Sequence, residues 1–150
     1  MESRIQISEV EPKAYQAIFG LEGYLQNSKL QPNHYKLIKI RASQVNGCAF
    51  CIDMHTKEAI KMGESHERMH LLDAWWHTDT FSEEEQVILK MTEEITKIHE
   101  HGLTKETYQH AISLFDAHYF ANIVMAISTI NVWNRVAIST LTPIAEATNS

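Results

Sequence analysis

Apolar residues recur every three or four positions along most of this chain, in stretches separated by short polar breaks. That is the spacing of helices with one buried face. Pro12 opens a helix predicted to run to about Tyr24, with Ala14, Ile18, Leu21 and Leu25 on one side. Asn33 stands where it can cap a second helix carrying Leu37, Ile38, Ile40 and Val45, and Asn46-Gly47 then breaks the chain. A third helix starts at about Cys48 and ends near Met62-Gly63, and Ser65 can cap a fourth that reaches about Trp76. Ser82 and Glu85 have the spacing of a capping box for a fifth, closed by Gly102. Thr104 and Asp116 can cap a sixth and a seventh, the last reaching about Ser139 before Pro143. No stretch alternates apolar and polar residues between turns as a strand would. The pattern predicts an all-α fold, an antiparallel helical bundle of six or seven helices with short connections.

The 150 residues include no linker rich in Gly, Pro or Ser and no internal repeat, which predicts a single domain over 1–150. Apolar residues make up 44%, enough for a packed core. The formal net charge of -6, with basic residues scattered, excludes a general nucleic-acid binder, which needs a clustered basic face. Tyr119 to Leu141 is long and apolar enough to raise the question of a membrane span. Asn122, Asn131, Asn134 and Arg135 interrupt it, so it reads as a helix buried in protein or at a subunit interface. With no apolar leader at the start, the expectation is a cytoplasmic protein with no membrane association. In a reducing compartment, two cysteines in one motif point to redox or metal chemistry rather than a structural staple.

The motif is Asn46-Gly47-Cys48-Ala49-Phe50-Cys51-Ile52-Asp53-Met54-His55. On a helix, residues three, four and seven apart share a face, so Cys48, Cys51 and His55 converge. Cα atoms three apart lie about 5 Å from each other, within the range a disulfide spans. Both cysteines fall at a helix N-terminus, where free N–H groups favour a thiolate, and a nearby His lowers a thiol pKa further. His55, one turn beyond Cys51, makes Cys51 the candidate first nucleophile and Cys48 its resolving partner; the reverse order stays open. A zinc site is the rival, but a structural site needs four ligands and no second Cys pair or paired His has matching spacing. Covalent haem attachment needs His directly after the second Cys, where Ile52 stands. Trp75, Trp76 and Trp133 read as core or interface, the alternative being that Trp133, with Asn131 and Asn134, lines a pocket near the thiols. Glu83-Glu84-Glu85 reads as first-turn charge, and His66 with His70 as part of a solvated face.

The segment from Ile40 to Ala59, with Phe81-Ser82-Glu83 and Ile130 to Arg135, resembles the alkylhydroperoxidase D-like proteins of the carboxymuconolactone decarboxylase superfamily. The resemblance covers most of the chain and implies an all-α homo-oligomer, commonly a trimer or hexamer. It implies reduction of a hydroperoxide substrate by the Cys48–Cys51 pair with His55 as base, and regeneration by a dithiol reductant, in characterised relatives a lipoylated protein. It implies no haem, flavin or metal as cofactor. A thiol–disulfide oxidoreductase or redox sensor with weak peroxidase turnover is the alternative function. The best-studied members carry Glu where this chain has Lys36 and His where it has Phe50. Lys36 is expected to be solvated, and Glu22 and Asp53 are the candidates to orient His55 in place of the missing acid.

Overall fold

A computed structural model describes residues 1–145. The final five positions of the expected 1–150 domain lie outside the described residues. The described chain is all-helical: α1 (Ile7–Val10), α2 (Pro12–Gln26), α3 (Pro32–Asn46), α4 (Ala49–Lys61), α5 (His66–Leu71), α6 (Glu83–Thr96), α7 (Lys105–Leu114) and α8 (Ala117–Ser139), with a 3₁₀ segment over Leu72–His77. No strand occurs among the described residues.

Helices occur in all seven expected regions, the fifth ending at Thr96 rather than at Gly102, and α1 is an eighth, too short for any periodicity to announce. Side-chain caps occur at Ser65, Ser82, Thr104 and Asp116, and Glu85 completes the capping box with Ser82. Asn33 is not a cap. Helix α3 begins one residue earlier at Pro32, whose missing N–H costs nothing at a helix start. The Gln31 N–H before it donates instead to the Tyr119 hydroxyl at 3.1 Å. The expected fourth helix also breaks, because Ala74 leaves helical geometry (φ -121°, ψ 32°). Beyond that break Trp75 is buried and its indole N–H donates to Glu93 at 2.8 Å.

Helix α3 is the hub, packing against α4, α6 and α8. Ile38 and Ala42 join the larger apolar core with Val87, Ile88 and Met91 of α6 and Ile123, Ile127 and Ile130 of α8. Leu37 and Ile40 enter a second core with Ala59, Leu72, Trp75 and Leu89. A helix covered on several sides buries polar residues too, and α3 buries Lys39 and Ser43. Helix α8 turns Ile123, Ile127, Ile130, Asn122 and Asn134 into the protein and leaves Met125, Val132 and Ile138 exposed. No helix among the described residues is long and apolar enough to cross a membrane.

Candidate functional site

The site begins where α3 ends. Gly47 closes that helix in the left-handed conformation (φ 71°), which a residue with a Cβ adopts only under strain. The Gly47 N–H bonds to the Gln44 carbonyl and the Cys48 N–H reaches the Ser43 carbonyl at 2.9 Å, the two bonds of a Schellman closure. Cys48 is at once the residue past the end of α3 and the N-cap of α4. Its sulfur accepts the Cys51 N–H at 3.3 Å, where a Ser or Asp oxygen would ordinarily sit. Ser43, which anchors this junction, donates to the Lys39 carbonyl at 2.6 Å and accepts from Asn134 at 3.0 Å. Asn134 and Asn131 both accept from Asn46. These amides thus tie α8 to the end of α3 and do not line the site.

Cys48 and Cys51 are joined as a disulfide, with Cα atoms 5.3 Å apart. Each is only 2% exposed. Both pack with Ala137 and Phe50, and Cys51, but not Cys48, lines a cavity of about 370 Å³. His55 lines the same cavity one turn along α4, so the structure places Cys51 and His55 at one cavity, with Cys48 joined to Cys51 at the N-cap of the helix. A larger, more open groove at Gly23, Asn27 and Tyr119 has none of the three in its walls.

The partner of His55 is neither expected acid. Glu58, three residues further on α4, has Oε2 at 3.1 Å from His55 Nδ1. The same oxygen accepts from Lys36 Nζ at 2.6 Å. Lys36 is therefore not solvated: its side chain is 18% exposed, and its ammonium closes a Lys36–Glu58–His55 chain. Asp53 is paired with Lys57 at 2.8 Å, away from the imidazole. Glu22 does reach the cavity wall, but its carboxylate is taken. It accepts from the Tyr35 hydroxyl at 2.6 Å, Lys39 Nζ at 3.2 Å and the Trp133 indole N–H at 3.0 Å. The signal for Glu58 was present in the sequence, since i and i+3 share a helix face.

Burial holds the His55 pKa below its ordinary value, and the Lys39 cation lowers it further, while Glu58 opposes in part. The imidazole is thus neutral near pH 7, ready to take a thiol proton. Burial would raise the Glu58 pKa, but bonds from Lys36 and His55 carry it below the usual carboxylate value. Burial and then the bond to Glu22 raise the Tyr35 pKa, so that hydroxyl stays a donor. Among the described residues no three His, Cys, Asp or Glu side chains gather to hold a metal. His66 and His70 are exposed. A dithiol pair with one sulfur facing a cavity beside an oriented neutral imidazole is equipped for two-electron thiol chemistry.

The model of the Carboxymuconolactone decarboxylase family (CMD) matches residues 12–94, from the start of α2 into α6. The uncharacterized protein YdfG of Bacillus subtilis (strain 168) is 39% identical over 139 residues, 93% of this chain and 95% of that protein. Among solved structures, ATU0492 of Agrobacterium tumefaciens is described as a protein of unknown function and a candidate antioxidant defence protein AhpD. It superposes with a TM-score of 0.93 at 35% identity, over 96% of this chain and 99% of that one. The debrominase Bmp8, solved in complex with 2,3,4-tribromopyrrole, shares the fold with a TM-score of 0.83 at 18% identity, over 93% of this chain and 74% of that one.

Proposed function

Since the chain belongs to the carboxymuconolactone decarboxylase family and is alkylhydroperoxidase D-like within it, we propose that it reduces hydroperoxides through a reversible Cys48–Cys51 disulfide. The observation that carries this reading is the asymmetry of the pair: Cys51 lines the cavity together with His55, and Cys48 is not part of its lining.

In the reduced pair, neutral His55 takes the Cys51 proton, and Glu58 stabilises the imidazolium that forms. The Cys51 thiolate attacks the terminal, hydrogen-bearing oxygen of the hydroperoxide. The O–O bond breaks, Cys51 becomes a sulfenic acid, and the departing alkoxide takes a proton to leave as the alcohol. The Cys48 thiolate then attacks the Cys51 sulfur, hydroxide leaves as water, and the disulfide closes. A thiolate of a dithiol donor enters through the cavity and attacks Cys51. Cys48 departs as a thiolate at the N-terminus of α4, where the Cys51 N–H already points at its sulfur. The donor's second thiol displaces Cys51 and leaves as a cyclic disulfide. The sum is one hydroperoxide and one dithiol converted to one alcohol, one water and one disulfide. A lipoylated protein, as in characterised relatives, has the required paired thiols.

The test is peroxide turnover with dihydrolipoamide as donor. Wild-type protein should consume peroxide catalytically. Cys51→Ser should lose activity by about a thousandfold or more. Cys48→Ser should accumulate a sulfenic acid at Cys51, read by a sulfenic-acid-specific probe and mass spectrometry. Unchanged peroxide consumption by Cys51→Ser ends the reading, and a sulfenic acid found at Cys48 in the Cys51→Ser variant reverses the order of attack.

A further inference from the structure

The lining of the cavity that contains Cys51 is not generic apolar surface. Tyr15 and Phe19, one turn apart on α2, meet Trp133 of α8 in a three-ring cluster. Ring centroids lie 5.0 to 5.4 Å apart, with interplanar angles of 63° to 73°. All three residues line the cavity that contains Cys51. Edge-to-face packing is the favoured arrangement for aromatic rings, and an incoming flat ring can extend it.

The wall is also fixed before any ligand arrives. The Trp133 indole N–H is held by Glu22, which is itself held by Tyr35 and Lys39. Preorganisation of this kind lowers the ordering cost of binding. Phe50, Met54 and Val136 add apolar lining. A Met thioether contacts aromatic rings favourably. The ammonium groups in the lining are matched: Lys39 lies 3.2 Å from Glu22 and Lys36 lies 2.6 Å from Glu58. This arrangement leaves little net field to draw in a charged substrate. A volume of about 370 Å³ falls within the usual range of small-molecule pockets, roughly 300–1,000 Å³, and exceeds what hydrogen peroxide alone requires.

We infer that the Tyr15–Phe19–Trp133 wall is a specificity surface selecting neutral organic hydroperoxides that carry an aromatic ring. The inference rests on the peroxidase reading for its chemistry, but the wall can be tested without turnover. With dihydrolipoamide as donor, kcat/KM for cumene hydroperoxide should exceed that for tert-butyl hydroperoxide by about tenfold, the scale on which apolar pockets discriminate. Trp133→Ala should bring that ratio close to unity, and Trp133→Phe should retain most of it. Phe19, 56% exposed at the rim, can be replaced by Ala without opening the core, and Phe19→Ala should lower the ratio about threefold. No preference in the wild type, or an undiminished ratio in Phe19→Ala and Trp133→Ala, overturns the inference.

Calorimetric binding of cumyl alcohol, the aryl product, to reduced protein separates the two readings. If the wild type consumes no peroxide yet binds cumyl alcohol in a Trp133-dependent way, the reaction is wrong and the wall stands. If peroxides are consumed while cumyl alcohol binding is absent or indifferent to Trp133, the reaction stands and the wall is wrong.

Discussion

Two carboxylates reach the same cavity and are used in opposite ways. Glu22, on α2, has a side chain only 12% exposed and is saturated by three donors from Tyr35, Lys39 and Trp133. Glu58, beside the redox pair, has a side chain 43% exposed and holds one lysine and one imidazole. A carboxylate enclosed by fixed donors has nothing left to give a reaction; its energy goes into holding a Trp ring and a buried ammonium in place. A partly solvated carboxylate touching an imidazole can follow a changing charge, because water can reorganise around it. The lesson is that proximity to a cavity does not assign a role; the number and rigidity of a group's partners do.

The sharpest way to break this contrast is Glu22→Ala. Removing one partner of a buried ion pair strands the other, so unfolding stability should fall by about 3 kcal/mol or more, measured by urea denaturation. A loss near zero would mean that Glu22 is not the structural member of the two. Glu58→Gln should do the reverse. It should lower kcat/KM for peroxide by about tenfold or more while changing stability little, because His55 loses the charge that stabilises its protonated form.

A smaller effect is expected in pH dependence. The acid limb of the peroxidase profile should lie below the ordinary histidine value of 6.5, and Glu58→Gln should move it lower still, since Glu58 is what opposes the depression. The same depression has a stability consequence. Folded His55 binds fewer protons than the unfolded chain, so stability is lost as pH falls below about 6.5 toward the folded pKa. Buried His34, depressed chiefly by burial, acts in the same direction. Glu58 and Glu85, held below 4.5, stay ionised through the upper part of this window. A Tm that falls from pH 7 to pH 5, with a shallower slope in His55→Gln, is the expected result. The smallest effect belongs to Lys36→Met, with a stability change between about 0 and 1 kcal/mol and a modest loss of activity.

Much of this was legible in the sequence because it depends on near neighbours along the chain. The caps at Ser65, Ser82, Thr104 and Asp116 act within one helical turn. The convergence of Cys48, Cys51 and His55 follows from helix geometry alone. Asn33 misled because a strong capping residue was outranked by the proline before it. Lys36 misled because a lysine mid-helix is usually solvated, and here α4 brings a carboxylate to it from 22 residues away. Trp133 packs against Tyr15 and Phe19 and also lines the cavity, the alternative to a core or interface role that its sequence position allows. Asn131 and Asn134 belong to a junction with Asn46 and Ser43 that no spacing rule could have paired.

The order of residues by itself determined the helices and the side-by-side placement of two sulfurs and an imidazole, because a helix repeats every 3.6 residues whatever surrounds it. Tertiary structure decided which sulfur meets the cavity, which lysine meets Glu58, and which rings share the cavity with the redox pair. Those choices depend on contacts between α2, α3, α4 and α8, residues far apart in the chain whose meeting is fixed by core packing rather than by local geometry.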